Sequence, residues 1–142
     1  MSQELLKKRI KKNEGFSSIP YVDQLGFNTI GYGHLIKENE THYFMFNYNK
    51  KHFEKIFEID FQKSVKAFNN IFGNKNYSKH IKNLLIEMIF QLGPEGVLKF
   101  KKMLFYLNKK QKYMVCLEMM DSLWYKQTPN RVENLISNFI GK

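Results

Sequence analysis

Residues 14–34 read EGFSSIPYVDQLGFNTIGYGH, and the only two acids among them are Glu14 and Asp23, with Thr29 six positions after the second. Glycines, aromatic residues and Pro20 surround them. Two carboxylates in unlike settings can divide acid–base work, because a group held dry keeps its proton while a solvated one stays ionised. Glu14, just past a helical stretch and beside Phe16, is the candidate for the dry acid. Asp23, in the turn DQLG, is the candidate for the ionised partner. The Thr29 hydroxyl both donates and accepts hydrogen bonds, and on a strand opposite Asp23 it can hold a water. Each residue alone also has a plain structural reading: a solvated acid after a helix, a turn aspartate, a packed strand threonine. The spacing has to be weighed with the elements that carry it.

Ser2 can cap a first helix from Gln3 to Lys12 that carries Leu5, Leu6 and Ile10 on one side, and Asn13 and Gly15 bracket its end. From Phe16 to Ile36, β-formers alternate with Pro20, Gly26, Gly31 and Gly33, which predicts a small antiparallel hairpin or meander. Asp23 falls at its turn and Thr29 on the returning strand. The stretch ENETHYFMFNY (38–48) reads either as a short extended piece or as an irregular turn. Asn49 then caps a long helix in which Phe53, Ile56, Phe57, Phe61, Val65 and Phe68 recur at helical steps. At 1.5 Å per residue it reaches about 30 Å, enough to link two lobes. After Gly73 everything reads helical: a buried central helix through MIFQLG, a helix opening at Pro94, another through MVCLEMM, and a last one with Thr128 as N-cap before Pro129. The predicted class is α+β, mostly α, in a single two-lobed domain over 1–142. Residues 13–48 form the small β-containing lobe, 49–72 the linking helix, and 1–12 with 73–142 the helical lobe.

At 43% apolar residues the chain is too hydrophobic to be disordered. Its formal charge of +10 bears on partners rather than on fold. LKKRIKK and LKFKKM read as solvated helix faces, which leaves a general attraction to polyanions; nucleic-acid binding has charge alone in its favour. One cysteine, Cys116 in MVCLEMM, excludes an intramolecular disulfide and reads as a buried, inert thiol. His34, His42, His52 and His80 fit no metal-ligand spacing, so no metal and no cofactor is expected. The start MSQELLKKRIKK lacks an apolar leader and no run nears 18 apolar residues, so the protein is expected to be made and to fold in the cytoplasm.

NEGF…YVDQLGFNTIGYGHLI closely resembles the active-site segment of the T-even phage lysozyme family, glycoside hydrolase family 24, whose pattern is Glu, Asp nine residues on, and Thr six further within TIGxGHL. MIFQLG (88–93) and LWYKQTPNRVENLISNF (123–139) resemble two further segments of that family, in the family's order. The resemblance implies a two-lobed lysozyme-like fold and a muramidase that cuts the β-1,4 bond between N-acetylmuramic acid and N-acetylglucosamine. It implies a phage endolysin, monomeric, held in the host cytoplasm and released to the wall by a separate holin. Glu14 would then be the general acid, with Asp23 and Thr29 holding the water. Leu35 and Phe90 match positions lining the saccharide cleft. Gln91 and Trp124 would form a polar–aromatic pair, and Arg131 would pair with Glu14. Asp60 would lie close to His34, forming an ion pair that raises the histidine's pKa. The chain departs from the family before the long helix, where the aromatic HYFMFNY replaces a small helix, and at Met103 and Glu118, where a small polar residue and an amide are usual at sugar-contacting positions. Two other readings remain: a lytic transglycosylase of similar shape, and a non-catalytic cationic protein that binds walls or disrupts membranes.

Overall fold

Leu6 and Ile10 lie one turn apart on the first helical stretch, and both are fully buried. The computed structural model describes residues 3–141. The elements in order are α1 (Gln3–Glu14), β1 (Ser17–Val22), β2 (Asn28–Gly31), β3 (His34–Leu35), a 3-10 helix (Glu38–Phe44), α2 (Lys50–Phe72), α3 (Lys79–Leu98), α4 (Lys101–Asn108), α5 (Lys112–Met120), α6 (Leu123–Gln127) and α7 (Pro129–Ile140). A short 3-10 turn, Gly73–Lys75, connects α2 to α3. This is the predicted α+β class with helix dominant. Ser2, the expected cap of α1, lies outside the described residues. No helix among the described residues is long and apolar enough to cross a membrane. The chain divides between Lys63 and Ser64, inside α2, into two units.

In the first unit α2 buries Phe53, Phe57 and Phe61 at helical spacing. Lys7 and Lys11, one turn apart on α1, meet Glu58 (Nζ–Oε2 2.8 Å) and Glu54 (Nζ–Oε2 2.5 Å), one turn apart on α2. The Lys11 ammonium also stands 4.9 Å from the centre of the Phe57 ring and 5.1 Å from that of Tyr32. This ladder ties α1 to the first part of α2 within the first unit. Its matched lysine and glutamate spacings lie far apart in sequence, and hydrophobic periodicity does not reveal them.

The sheet is antiparallel in the order β1-β2-β3. Tyr21 pairs with Thr29, and Thr29 with Leu35, so these three side chains share one face; Ile30 pairs with His34 on the other. Pro20 sits in the edge strand β1, where the register is irregular between Ser17 and Tyr21, as a residue without an N–H requires. The ambiguous stretch 38–48 becomes the 3-10 helix and a following turn. Tyr43 is buried there, and its hydroxyl lies 2.8 Å from His52 Nε2. The expected cap of α2 is present, with Asn49 Oδ1 accepting from the His52 N–H at 2.9 Å.

In the second unit α3 is the buried central helix, with Leu84 through Ile89 all inaccessible. It packs against α4 and α7, and α5 packs against α4, α6 and α7. Gly93 (φ 77°, ψ 161°) interrupts α3, so a helical segment opens at Pro94 as expected, but it runs only to Leu98, and a further break at Phe100 (φ −81°, ψ 59°) precedes α4. Thr128 takes the N-cap position of α7 without a side-chain cap; its hydroxyl donates to the Trp124 carbonyl at 3.1 Å and accepts from Gln91 Nε2 at 3.4 Å. Cys116 is buried, and burial pushes its thiol pKa up.

Candidate active site

Glu14 is the last residue of α1, two positions beyond the predicted end, and it is half-buried. Gly15, at φ 74°, ends the helix and returns its N–H to the Lys11 carbonyl at 2.9 Å. The Glu14 side chain rests on the glycine turn between β2 and β3. A Cβ at Gly33 would stand 2.5 Å from Glu14 Oε1, and one at Gly31 would stand 2.7 Å from the Phe53 ring. Both glycines have positive φ (66° and 76°), so the turn needs them for backbone shape and for space. Between them, the Tyr32 hydroxyl donates to Glu54 Oε1 at 2.8 Å. Burial and then that carboxylate push the Tyr32 phenol up to about 12. Glu54 thus joins the glycine turn to Lys11 on the last turn of α1, three residues before Glu14.

Asp23 follows β1, and its Oδ1 accepts the N–H groups of Leu25 and Phe27, each at 2.9 Å. Its own N–H donates to the Phe27 carbonyl at 2.9 Å. The carboxylate is therefore fixed by its own turn. Thr29 is 1% exposed, and its hydroxyl donates to the same Phe27 carbonyl at 2.8 Å. That bond uses the only hydroxyl proton, so toward any further group Thr29 Oγ1 is an acceptor. Tyr21, opposite Thr29, has its phenol pKa raised by burial, then by the charge of Glu14, then by that of Asp23. One side chain lies in the field of both acids, and the sequence reading had not singled it out. The available signal was its place two residues before Asp23 in a strand whose partner is Thr29. Leu35 shares this face of the sheet and is 45% exposed.

His34, on the opposite face, is buried between two acids: Nδ1 lies 2.7 Å from Asp60 Oδ2, and Nε2 lies 3.0 Å from Glu40 Oε1. The Asp60 pair is the expected one; Glu40 is an addition. Burial alone would lower the His34 pKa, but the hydrogen bonds and charges of Asp60 and then Glu40 outweigh it and the net shift is upward. Burial likewise opposes ionisation of Glu40. The Lys37 N–H and His34 outweigh it, and the Glu40 pKa falls.

The remaining candidates belong to the second unit. Trp124 Nε1 donates to Gln91 Oε1 at 3.0 Å, so the polar–aromatic pair is formed. Phe90 is half-buried on α3. Arg131 donates from Nε to Glu87 Oε2 at 3.0 Å, and Glu87 is fully buried. Sequence reasoning passed over Glu87, although an acid inside LLIEMIF needs a buried partner. Met103 and Glu118, the two departures at sugar-contacting positions, line one cavity of about 400 Å³.

The family model described as phage lysozyme matches residues 11–138. A curated protein of Dictyostelium discoideum named probable T4-type lysozyme 2 is 34% identical, with 94% of this chain and 92% of that one covered. Probable T4-type lysozyme 1 of the same organism is 32% identical over 93% of this chain and 91% of its own.

Proposed function

Because the chain belongs to the phage lysozyme family, and is by that membership a lysozyme-type peptidoglycan hydrolase, we propose that it cuts the β-1,4 bond from N-acetylmuramic acid to N-acetylglucosamine with inversion at the anomeric carbon. The observation that carries this reading is the single turn that fixes both Asp23 and Thr29 on the Phe27 backbone. A water donating one hydrogen to Thr29 Oγ1 and the other to the Asp23 carboxylate has its lone pair left for the sugar carbon. Glu14 gives its proton to the departing glycosidic oxygen as that C–O bond breaks. The water oxygen bonds to the anomeric carbon from the opposite face, and Asp23 takes the water's proton. Glu14 suits the acid role because the negative end of the α1 dipole opposes its ionised form. Leu35 and Phe90 keep their assignment as sugar-contacting side chains, with Gln91, Trp124 and Arg131 in support. In biological setting the protein acts as an endolysin for host-cell lysis, a monomer held in the host cytoplasm until a holin opens the way to the wall.

The test is digestion of purified peptidoglycan, with reducing-end assay and proton NMR of the first-formed anomer. The expected products are free N-acetylmuramic reducing ends of inverted configuration. Glu14→Gln should abolish release, Asp23→Asn should nearly do so, and Thr29→Ala should fall between Asp23→Asn and wild type. Anhydromuramic ends would make the enzyme a lytic transglycosylase. Undiminished bacterial killing by Glu14→Gln would favour a cationic protein acting without catalysis. A retained anomer would overturn the water-holding role of Asp23 alone.

A further inference from the structure

No acid occurs between Asp60 and Glu87 or between Glu95 and Glu118, while those two stretches carry five and six lysines respectively. The fold brings parts of both stretches to one cavity of about 530 Å³ in the second unit. Lys75, Lys110 and Lys112 line it, with no carboxylate in its wall. The only described non-glycine residues with positive φ, Asn76 (54°) and Lys110 (57°), both belong to that wall. Such backbone is held only where its surroundings impose it. Ser78 and Gln111, the N-cap residues of α3 and α5, line the cavity too, and neither side chain caps its helix. The positive ends of both helices therefore add to the lysine charge.

We propose that this cavity binds a sugar phosphate, a ligand outside the hydrolytic reading given above and held by none of its residues. The permanent cations are lysines, with the ionisable His80 beside them in the wall, and an ammonium group meets a compact phosphate as a point charge. The rest of the lining suits a ring with hydroxyls. The buried Phe139 ring backs the wall and seats Lys112, whose ammonium stands 5.5 Å from its centre. The Tyr77 hydroxyl is oriented by donating to Asn108 Oδ1 at 2.6 Å, and the Gln111 amide adds a further donor and acceptor. The volume lies within the range of about 300–1,000 Å³ usual for small-molecule sites. The sugar phosphate is either a free monomer or one unit of a phosphodiester-linked wall polymer.

The probes are N-acetylglucosamine 6-phosphate, N-acetylglucosamine, inorganic phosphate, poly(N-acetylglucosamine 1-phosphate) and a DNA duplex, titrated into the full-length nitrogen-15-labelled protein. The sugar phosphate should give saturable amide shifts confined to Asn76 and residues 110–112, with no comparable shift from the neutral sugar. Lys112→Gln and Lys110→Asn, the latter suited to left-handed backbone, should each weaken binding about tenfold, the loss of one charge-assisted bond. Lys101→Gln, outside the cavity wall, should not. Competition by poly(N-acetylglucosamine 1-phosphate) at these amides identifies a polymer source, and its failure to compete identifies the monomer. Equal losses at Lys101 and Lys112, equal binding of inorganic phosphate, or preference for the DNA duplex would each overturn the proposal. The readout is binding alone, so the absence of wall hydrolysis would leave it intact.

Discussion

At the scale of single residues, the acid's position depends on a hydrogen atom where any other residue has a Cβ. Gly33 combines a φ of 76° with contact to the Glu14 carboxyl, whereas Gly15 has a similar φ of 74° and open space around the missing Cβ. Gly15→Ala should therefore lose only the backbone term, about 1–2 kcal/mol. Gly33→Ala should lose that and also push the Glu14 side chain from its seat. We expect a destabilisation toward the upper end of about 1–3 kcal/mol, with wall hydrolysis falling at least tenfold in protein that remains folded. Urea melts with reducing-end assays of both variants check this, and wild-type activity in Gly33→Ala would mean that the glycine serves the turn alone. The spacing of Glu14, Asp23 and Thr29 is local and so could be read from the chain. Tyr21, which feels the charge of both acids through its strand register, and Glu87, whose partner is 44 positions away, carry no comparable local sign.

At the scale of elements, His34 joins β3 to α2 through Asp60 and to the 3-10 helix through Glu40. Its folded-state pKa lies above the ordinary 6.5, so its contribution is complete below pH 6.5 and is lost as pH rises through the raised value. The Glu40 pKa lies below its ordinary 4.5, so that contribution is present above pH 4.5 and is lost as pH falls through the depressed value. Both act together between about pH 4.5 and 6.5. Thermal unfolding followed from pH 4 to 8.5 should show wild type losing more stability above pH 6.5 than His34→Gln does. Parallel curves would show that the bridge does not contribute. The strands, the long helix and its Asn49 cap were legible because turn residues and helical periodicity are local signals. The 3-10 helix was not, since ENETHYF has neither period; it is held by Tyr43 packing and the Glu40 bonds. Pro94 marked a real helix start, but the stop after Leu98 was not legible, since no glycine or proline follows to announce it.

At the scale of the molecule, the charge of +10 is not matched by a cationic site among the residues assigned to hydrolysis, where Glu14 and Asp23 are acids and Thr29 is neutral. In the first unit Lys7 and Lys11 are already engaged by Glu58 and Glu54, which takes part of the charge out of play there. The scarcity of acids instead concentrates net charge on the second unit, where residues 64–142 carry 13 Lys and Arg against 5 acids, whereas residues 2–63 carry 10 against 8. Charge carried in this way raises the encounter rate with a polyanionic wall and leaves the bond-breaking step alone. Salt separates the two effects, since the screening length falls to about 10 Å at 0.1 M. Raising sodium chloride from about 50 to 300 mM should slow clearing of intact anionic walls several-fold. Over the same range, hydrolysis of a short soluble oligosaccharide of alternating N-acetylglucosamine and N-acetylmuramic acid, which carries few charges, should change by less than about twofold, because the reacting groups are fixed by hydrogen bonds within one turn. Initial rates on the two substrates at matched pH make the comparison. Equal slowing on both would place the salt-sensitive charges at the reacting bond, and no slowing on either would show that the lysines serve solubility alone.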